Sequence, residues 1–285
     1  MATCSHHDNS RKTVGVTALG VAALRAIETA KGETALINDP FASTLATEDG
    51  YKWVEELNIK KPEVAASMVD GLAIRTKKID DEIVQYIQNG GIQVCVPGAG
   101  LDCRPWRIQH SFDKTDPNLL DQVFWYELDF PEMLDHKLNS ISTVSSGNCS
   151  CKAYLPVKAD LSLPTWDSVL SDSGYDSSLP TAWLLEGFTS YLTEAELTSF
   201  LTKVSEISCK GSIIIATFIA PGTTSTHMKN SLHRAYYDDA PGFLGGFGWQ
   251  TKESTGLNEI GTSYGRTPSH LKTWESYTIV IAEKQ

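Results

Sequence analysis

The sequence predicts an α/β fold, namely a Rossmann-like, seven-stranded, mostly parallel β-sheet with a terminal β-hairpin, helices on both faces and an N-terminal helical cap. Three observations predict it. Apolar residues recur at helical spacing through the first 90 residues, short apolar runs alternate with helical stretches after residue 91, and two further apolar runs stand near the end of the chain. Short apolar strands that alternate with helices are typical of a parallel sheet covered on both faces.

The first 90 residues are predicted to form a tail and a helical cap. Residues 1–13 are polar, and we expect them to be disordered. Over residues 17–31 the apolar side chains recur at helical spacing, and Asp39-Pro40 has the form of an N-cap followed by a proline at the first helical position. A second helical pattern covers residues 62–89, where a Gly-Gly pair ends it. The cap is therefore predicted over residues 14–90.

The remaining residues, 91–285, are predicted to complete a single domain with the cap. Seven apolar runs have the length of strands, and they cover residues 92–96, 123–128, 154–157, 182–185, 212–220, 249–255 and 277–283. Helical stretches near residues 131–143, 165–171 and 194–208 separate the first five runs. The polar, glycine-containing segment at about 221–248 is predicted to be a lid region.

Composition excludes several classes of function. The net charge is −11, with 35 Asp and Glu residues against 24 Lys and Arg residues, so nucleic acid and anionic membrane surfaces would be repelled. No apolar run approaches the roughly 20 residues that a membrane-spanning helix needs. The six cysteines form no Cys-x-x-Cys pair, and the N-terminus lacks an apolar signal segment. We therefore expect a cytoplasmic protein with reduced thiols and no metal site.

A glycine loop follows the first predicted strand. Gly98-Ala99-Gly100 stands between this strand and a helix, which is how many α/β proteins place a nucleotide at the carboxyl ends of their strands. The dinucleotide fingerprint needs a third glycine where Cys103 stands, and the phosphate loop needs a lysine that is missing. Asp102 would also repel a phosphate. The loop therefore favours a nucleoside-like ligand without phosphates, and a plain tight turn is the alternative.

Three further predicted strands end in carboxylates. Asp129 ends the second strand two residues after Glu127, Asp160 follows the third strand, and Glu186 follows the fourth. The carboxyl ends of parallel strands share one edge of the sheet, and an acidic residue after the second strand accepts hydrogen bonds from ribose hydroxyls. Each carboxylate alone has the form of a helix cap or a solvated charge. Together they favour S-adenosylmethionine, a sulfonium cation that carries an adenosine.

Five blocks of the sequence resemble the leucine carboxyl methyltransferase family, and in particular its small-molecule O-methyltransferase members. The blocks are TALGVAALRAIE with DPFA, IRTKKIDD, PGAGLDCR followed by WR, YELDFPEMLDHK and WLLEGFTSYLTEAEL. They stand in the family's order from about residue 13 onward. The resemblance implies a class I methyltransferase fold, S-adenosylmethionine as the cofactor, and methyl transfer as the activity.

The resemblance also implies roles for individual residues. Arg75 would pair with the carboxylate of the cofactor, and Glu186 would approach its amino group. Tyr191 would lie near the transferred methyl group and the acceptor. The resemblance further implies that the methionine and ribose portion contacts Gly98, Ala99 and Gly100. The ribose hydroxyls would be held by Asp129, with Glu127 as a second partner. The adenine would contact Asp160 and Leu161.

Three residues of the block PGAGLDCR with WR, namely Pro97, Arg104 and Arg107, are considered separately. Pro97 stands where the family has a leucine, and we expect it to end the strand without disturbing the site because an N–H at a strand end can be unpaired. Arg104 and Arg107 are predicted to brace the loop by pairing with Asp102 or a nearby carboxylate. A direct cofactor contact is not expected for either arginine.

The methyl acceptor stays open at this point. A carboxylate is ionised at pH 7 and needs no base, whereas a hydroxyl needs one. The candidate bases are His136, His227, His233 and His270. The second and third of these are predicted on the helix after the fifth strand, and His233 is the catalytic candidate beside Tyr191. Nearby Arg234 and several aromatic residues are expected to form an acceptor pocket or, alternatively, to fill the core under the cap.

We expect a small-molecule acceptor with a carboxylate or hydroxyl group. One alternative is a carboxyl methyltransferase that acts on the C-terminal leucine of a protein phosphatase catalytic subunit. A second alternative is a non-catalytic protein that binds S-adenosylmethionine. The sequence predicts no oligomeric state.

Overall fold

The computed structural model describes residues 4–112, 118–145, 149–221, 233–267 and 274–285, with side chains from residue 15 onward. Its helices are α1 (Cys4–Thr29), α2 (Ala42–Lys60), α3 (Pro62–Gln88), α4 (Arg104–Arg107), α5 (Pro131–Ser142), α6 (Trp166–Asp172), α7 (Glu194–Glu206), α8 (Ala240–Gly245) and α9 (Leu257–Ser263). Its strands are β1 (Gln93–Pro97), β2 (Phe124–Asp129), β3 (Ala153–Lys158), β4 (Ala182–Leu185), β5 (Ile213–Ile219), β6 (Trp249–Gly256) and β7 (Tyr277–Lys284).

The strands form one seven-stranded sheet in the order β3-β2-β1-β4-β5-β7-β6. The first five strands are mutually parallel, and β7 pairs antiparallel with both β5 and β6. The prediction of a Rossmann-like, mostly parallel sheet is thus confirmed. The terminal antiparallel pair also exists, but α9 lies between its two strands in the sequence, and β7 enters the sheet between β5 and β6.

Helices cover both faces of the sheet because neighbouring residues along each strand point to opposite sides. Cys95 and Trp183 belong to one apolar cluster, together with buried residues of α6, α7 and α8. Val94 and Leu184, one position away in the same strands, belong to a second cluster with α3 and α9. The central strands β1, β4 and β5 are buried on both sides, as expected for a parallel sheet.

The helical cap consists of α1, α2 and the first half of α3. These helices share a third apolar cluster with Leu101 and Trp106, which lie just after the glycine loop. The helices α1 and α2 cross closely at Gly50, where a Cβ atom would collide with the backbone carbonyl of Leu19. The second half of α3 packs on the sheet instead. This one helix therefore connects the cap to the sheet.

The structure can be compared with two further predictions, the disordered N-terminal tail and the lid region. The backbone is helical from Cys4 onward. Of the disordered tail predicted over residues 1–13, residues 4–13 are therefore helical, and residues 1–3 lie outside the described residues. Extending an existing helix needs no new nucleus, so the helix that the apolar residues form continues into the polar segment before them. The predicted lid region at about 221–248 lies partly outside the described residues, and its described part contains α8.

Two structural absences hold for the described ranges. No helix there is both long and apolar enough to cross a membrane. No three side chains of His, Cys, Asp or Glu in these ranges are grouped so that they could hold a metal ion.

Candidate active site

A cleft lies at the carboxyl ends of the central strands, where ligands bind in open α/β sheets. It is lined by Thr17, Ala18, Val21 and Arg25 of α1, by Arg75 of α3, and by Val96, Gly98, Ala99, Gly100, Leu101, Asp102, Asp129, Phe130, Met133, Ala159, Asp160, Leu161, Ser162, Glu186, Gly187, Phe188, Tyr191, Leu192, Glu196 and Arg234. Helix α1 of the cap therefore contributes to the lining together with the strand ends.

The glycine loop forms the floor of the cleft. Gly98 and Gly100 have φ angles of 65° and 51°, in the left-handed region that favours glycine. The N–H of Gly98 donates to the carbonyl of Leu128 at 2.7 Å, which ties the loop to β2. A Cβ atom at Gly98 would lie 2.7 Å from the Phe188 ring. Any larger residue here would both strain the backbone and push this ring.

Asp129 is oriented by the loop itself. Its Oδ2 atom accepts a hydrogen bond from the N–H of Gly100 at 2.7 Å, and its Oδ1 atom accepts one from the N–H of Phe130 at 2.7 Å. Burial raises the pKa of this carboxyl group, although the two backbone donors oppose the shift. The carboxylate therefore has a fixed position beside the glycine loop, on the wall of the cleft.

Asp160 and Leu161 lie on the same wall, after β3. The Oδ1 atom of Asp160 accepts hydrogen bonds from the N–H of Ser162 at 3.0 Å and from its hydroxyl at 2.6 Å. Such local bonds between a short acidic side chain and the backbone fix a turn. The side chain of Leu161 packs against the apolar cluster on the α6–α7 face.

Glu127 is not part of the cleft lining, which corrects its prediction as a second partner of the ribose. Its carboxylate is fully buried and accepts hydrogen bonds from Nζ of Lys137 at 2.5 Å and from the hydroxyl of Tyr154 at 2.6 Å. The physical reason is its place two residues before the end of β2. At this depth a carboxylate needs a buried counter-ion, and α5 supplies it.

Glu186 joins two arginines at the edge of the cleft. Its Oε1 atom accepts a hydrogen bond from Nε of Arg75 at 2.8 Å, and its Oε2 atom accepts one from Nη1 of Arg104 at 2.7 Å. Burial would raise the pKa of Glu186, but the charges of Arg104 and Arg75 outweigh it, and the pKa lies below its ordinary value. Arg75 and Glu186 thus line the cleft as an ionised pair.

A buried ionic network continues behind this pair. Arg104 also donates to Asp80 at 2.6 Å and to Asp102 at 2.7 Å, and Arg107 donates to Asp80 at 2.6 Å. The predicted bracing role of Arg104 and Arg107 is confirmed by these contacts. Arg25 extends the network to Asp39 at 3.0 Å and to the carbonyl of Leu101 at 2.6 Å. The network therefore fixes the residues that directly follow the glycine loop to α1 and α3.

The sequence reasoning missed Asp39 and Asp80 as residues of the site. The sequence predicts Asp39 as the N-cap of a helix with Pro40 at its first position, but α2 begins at Ala42 with Phe41 as its N-cap. Asp39 instead accepts a hydrogen bond from the N–H of Phe41 at 3.1 Å. Asp80 stands between Ile79 and Ile83, on the face of α3 that packs in the core. A carboxylate on an apolar helix face is itself a signal, since buried charges are retained only with partners.

The network makes the free energy of unfolding depend on pH. Burial alone would raise the pKa of Asp102, but the charges of Arg104 and Arg107 outweigh burial and hold it well below its usual range. A group with a depressed pKa stabilises the fold above its unfolded pKa of about 3.9, and this contribution is lost as the pH falls.

We therefore expect Asp102→Asn to lower the free energy of unfolding by about 3 kcal/mol at pH 7. The difference from the wild type should shrink below about pH 4, where the wild-type carboxylate itself begins to lose its advantage. Urea unfolding between pH 7.5 and 3.5 measures this. A difference that is equal at all pH values would contradict the assignment.

Tyr191, the predicted neighbour of the acceptor, lines the cleft. Burial raises the pKa of Tyr191, whose ring lies edge-on to His233 with centroids 5.4 Å apart. Burial lowers the pKa of His233, and this residue is not among those that line the cleft. Arg234 lines the cleft mouth and donates to Glu196 at 2.8 Å.

His233 is not helical, which corrects the prediction that it lies on the helix after β5. The helix of this region, α8, starts only at Ala240, because Asp239 caps it by accepting from the N–H of Gly242 at 2.8 Å and Pro241 follows within the first turn. His136 lies on α5 outside the cleft lining. The two remaining candidates, His227 and His270, lie outside the described residues.

Comparison with known proteins decides the family. A family model described as leucine carboxyl methyltransferase matches residues 18–205, more than half of the chain. The chain belongs to the leucine carboxyl methyltransferase family. The predicted resemblance is thereby confirmed, and the protein is an S-adenosylmethionine-dependent methyltransferase.

Relatives of this methyltransferase cover most of its length. A Mycobacterium avium protein named as an S-adenosyl-L-methionine-dependent methyltransferase is 33% identical over 232 residues, which cover 77% of this chain and 72% of that protein. A Streptomyces coelicolor protein named for the same activity is 30% identical over 278 residues, 92% of each chain. The match therefore extends beyond the part that the family model covers.

Solved structures show the same fold. A DUF574 family protein from Streptomyces avermitilis has a TM-score of 0.62 at 11% identity, with 86% of this chain and 95% of that chain covered. A methyltransferase structure from Thermobifida fusca has a TM-score of 0.57 at 16% identity, with 92% and 94% covered. At these identities the likeness concerns the fold alone, and it supports the class I methyltransferase architecture.

Pro97 ends β1 in this methyltransferase, as predicted. Successive backbone N–H groups of a strand point to opposite neighbours, and that of Gly98 points to β2. The nitrogen of Pro97 therefore faces β4, whose pairing with β1 involves only Val94 and Cys95. The proline thus costs no ladder bond at its own position.

We expect Pro97→Leu to change the affinity for S-adenosylhomocysteine by less than about tenfold, or ~1.4 kcal/mol. The measurement is calorimetric titration of the two proteins. A larger change would show that the proline itself shapes the loop.

Proposed function

We propose that this methyltransferase transfers the methyl group of S-adenosylmethionine to a carboxylate or hydroxyl oxygen of a small molecule that binds beside Tyr191. The observation that carries the proposal is the ionised Arg75–Glu186 pair, which shares one cleft with the glycine loop and Asp129. The amino acid end of the cofactor carries one negative and one positive group. The adjacent guanidinium of Arg75 and carboxylate of Glu186 carry the complementary charges.

The residues of the cleft fit the rest of the cofactor in the same way. We propose that Arg75 holds its carboxylate and Glu186 its ammonium group, as charge-assisted hydrogen bonds favour. The loop leaves room for the methionine and ribose portion because neither glycine carries a side chain. We propose that the methionine and ribose portion contacts Gly98, Ala99 and Gly100. Asp129 would hold the ribose hydroxyls, and both Asp160 and Leu161 would contact the adenine.

The bound cofactor supplies a methyl group on a positively charged sulfur, which is already a good leaving group. The task of the chain is then to align the acceptor oxygen and to exclude water. The buried network holds Glu186 in place, and Phe188 packs under Gly98. These contacts preorganise the part of the cleft that Glu186 and Phe188 form.

The acceptor side favours a carboxylate within this proposal. The described part of the chain places no histidine in the cleft lining. Burial raises the pKa of Tyr191, so this hydroxyl stays protonated at neutral pH and is a poor base. A carboxylate is ionised without help, and the guanidinium of Arg234 at the cleft mouth can attract it.

We propose that His233 supports Tyr191 rather than removing a proton. His233→Gln should therefore lower kcat/KM by less than about tenfold, whereas loss of a general base costs 10²–10⁴-fold. Steady-state kinetics with an identified acceptor, followed from pH 5.5 to 8.5, measure this. A loss of 100-fold or more, together with a lost ionisation in the pH profile, would identify His233 as the base and a hydroxyl as the acceptor.

The proposed function is tested with a panel of small carboxylic acids, phenols and alcohols, and homocysteine release is the readout after S-adenosylhomocysteine cleavage. We expect turnover with members of the carboxylic acid class. Labelling of a protein phosphatase catalytic subunit from methyl-labelled cofactor, without turnover of any small molecule, would instead support the second candidate, which the family's description suggests. Cofactor binding without any transfer would support a non-catalytic role.

A further inference from the structure

Two cysteines lie side by side just before β3. The Sγ atoms of Cys149 and Cys151 are 3.1 Å apart. Cys149 is half-buried, whereas Cys151 is buried behind it. Neither residue lines the cleft, so the proposed methyl transfer gives this pair no task.

The pair has the polarity of an attacking and a resolving thiol. The S–H of Cys151 donates to the sulfur of Cys149, which therefore carries the negative charge more easily. This hydrogen bond lowers the pKa of Cys149 to about 6, and it raises the pKa of Cys151. Cys95 and Cys103 differ from this pair, since both are fully buried and burial raises the pKa of each.

We propose that Cys149 and Cys151 are a redox-active thiol pair that hydrogen peroxide oxidises to an intramolecular disulfide. The thiolate of Cys149 attacks one peroxide oxygen, the O–O bond breaks, and the hydroxide that leaves becomes water by taking up the proton that the Cys149 thiol lost on ionisation. The sulfenic acid on Cys149 is then attacked by the sulfur of Cys151. An S–S bond forms, the S–O bond breaks, and the second hydroxide takes the thiol proton. Two thiols and one peroxide thus give one disulfide and two water molecules.

The geometry supports the second step. A disulfide needs its two sulfurs about 2.05 Å apart, and only about 1 Å of approach separates the present positions from that distance. A solvent-accessible thiol with low pKa beside a resolving cysteine is the arrangement that peroxide sensors use, and Cys149 is partly accessible. The pair is also connected to the segment that follows the glycine loop, because the N–H of Ser150, between the two cysteines, donates to the carbonyl of Pro105 in α4 at 2.7 Å.

The test is a mass measurement on the native chain. Trypsin releases residues 138–152 as one peptide that contains both cysteines and no other. After brief treatment with hydrogen peroxide, quenching and alkylation of free thiols with iodoacetamide, we expect this peptide unalkylated and two hydrogen atoms lighter. The matched control is Cys209→Ser, at a half-buried cysteine elsewhere, and this variant should still form the disulfide.

Two variants separate the steps. In Cys151→Ala, dimedone should trap a sulfenic acid on Cys149, and the pH midpoint of Cys149 alkylation should rise from about 6 toward the ordinary value of about 8.5. In Cys149→Ser, Cys151 should remain unmodified. A wild-type peptide with two alkylated thiols after treatment, or Cys149 joined to any other cysteine, would overturn the proposal. Neither readout depends on methyl transfer, so failure here leaves the proposed function untouched.

Discussion

Replacing Asp80 by alanine should lower the free energy of unfolding by about 3–5 kcal/mol, which is the usual cost of leaving buried charges without a partner. Asp80 is 2% exposed. It accepts hydrogen bonds from Arg104 at 2.6 Å and from Arg107 at 2.6 and 3.1 Å. The substitution removes the close partner of the buried Arg107 guanidinium, whereas Arg104 keeps Asp102 and Glu186. Urea unfolding at pH 7, followed by circular dichroism, measures the loss.

The neighbouring residue supplies the control for this prediction. The side chain of Asp81 is 38% exposed, and it pairs with Lys77 and with the hydroxyl of Tyr264. Because solvent screens such a pair, Asp81→Ala should cost about 1 kcal/mol or less. If the two variants lose equal stability, or if Asp80→Ala stays within ~1 kcal/mol of the wild type, the network does not stabilise the fold as described.

Asp129→Ala should weaken binding of S-adenosylhomocysteine by about 100-fold. Two hydrogen bonds from the ribose to a carboxylate contribute roughly 1.5 kcal/mol each, and 1.4 kcal/mol corresponds to a tenfold change. The substitution also removes the acceptor that holds the N–H of Gly100 at 2.7 Å. Calorimetric titration of both proteins gives the ratio of dissociation constants.

Asp135→Ala is the matched control for Asp129→Ala. Asp135 lies on the nearby helix α5, and its side chain is 53% exposed and pairs with Lys158 at 2.6 Å. We expect its affinity for S-adenosylhomocysteine to stay within about twofold of the wild type, since a screened surface pair contributes little. A loss of less than about fivefold in Asp129→Ala would contradict the proposed ribose contact.

The fold was largely predictable from the sequence because parallel sheets leave a local signal. The strand ends at Pro97, Asp129 and Leu185 follow directly from short apolar runs bounded by loop residues. The position of β7 between β5 and β6 is different, because a choice between two neighbouring edges depends on packing that no short segment encodes. An antiparallel pair was expected, but not the helix α9 inside it.

The candidate site was predictable where a residue acts at its own strand end, and less so where it acts through a partner. Asp129 and Asp160 line the cleft as the strand pattern indicated. Glu127 is also a carboxylate, two residues earlier in the same strand. Only the fold shows that it forms a buried ion pair with Lys137. The partners Asp80 and Arg104 lie 24 residues apart, and Arg75 and Glu186 lie 111 apart. Such pairs form only when α3 and the sheet meet.

A crystal structure with S-adenosylhomocysteine tests the central claim most directly. The account predicts the ligand in the cleft above the glycine loop, with its ribose hydroxyls on Asp129 and its amino acid end between Arg75 and Glu186. A ligand bound elsewhere, or bound in this cleft with its amino acid end away from the Arg75–Glu186 pair, would contradict the account.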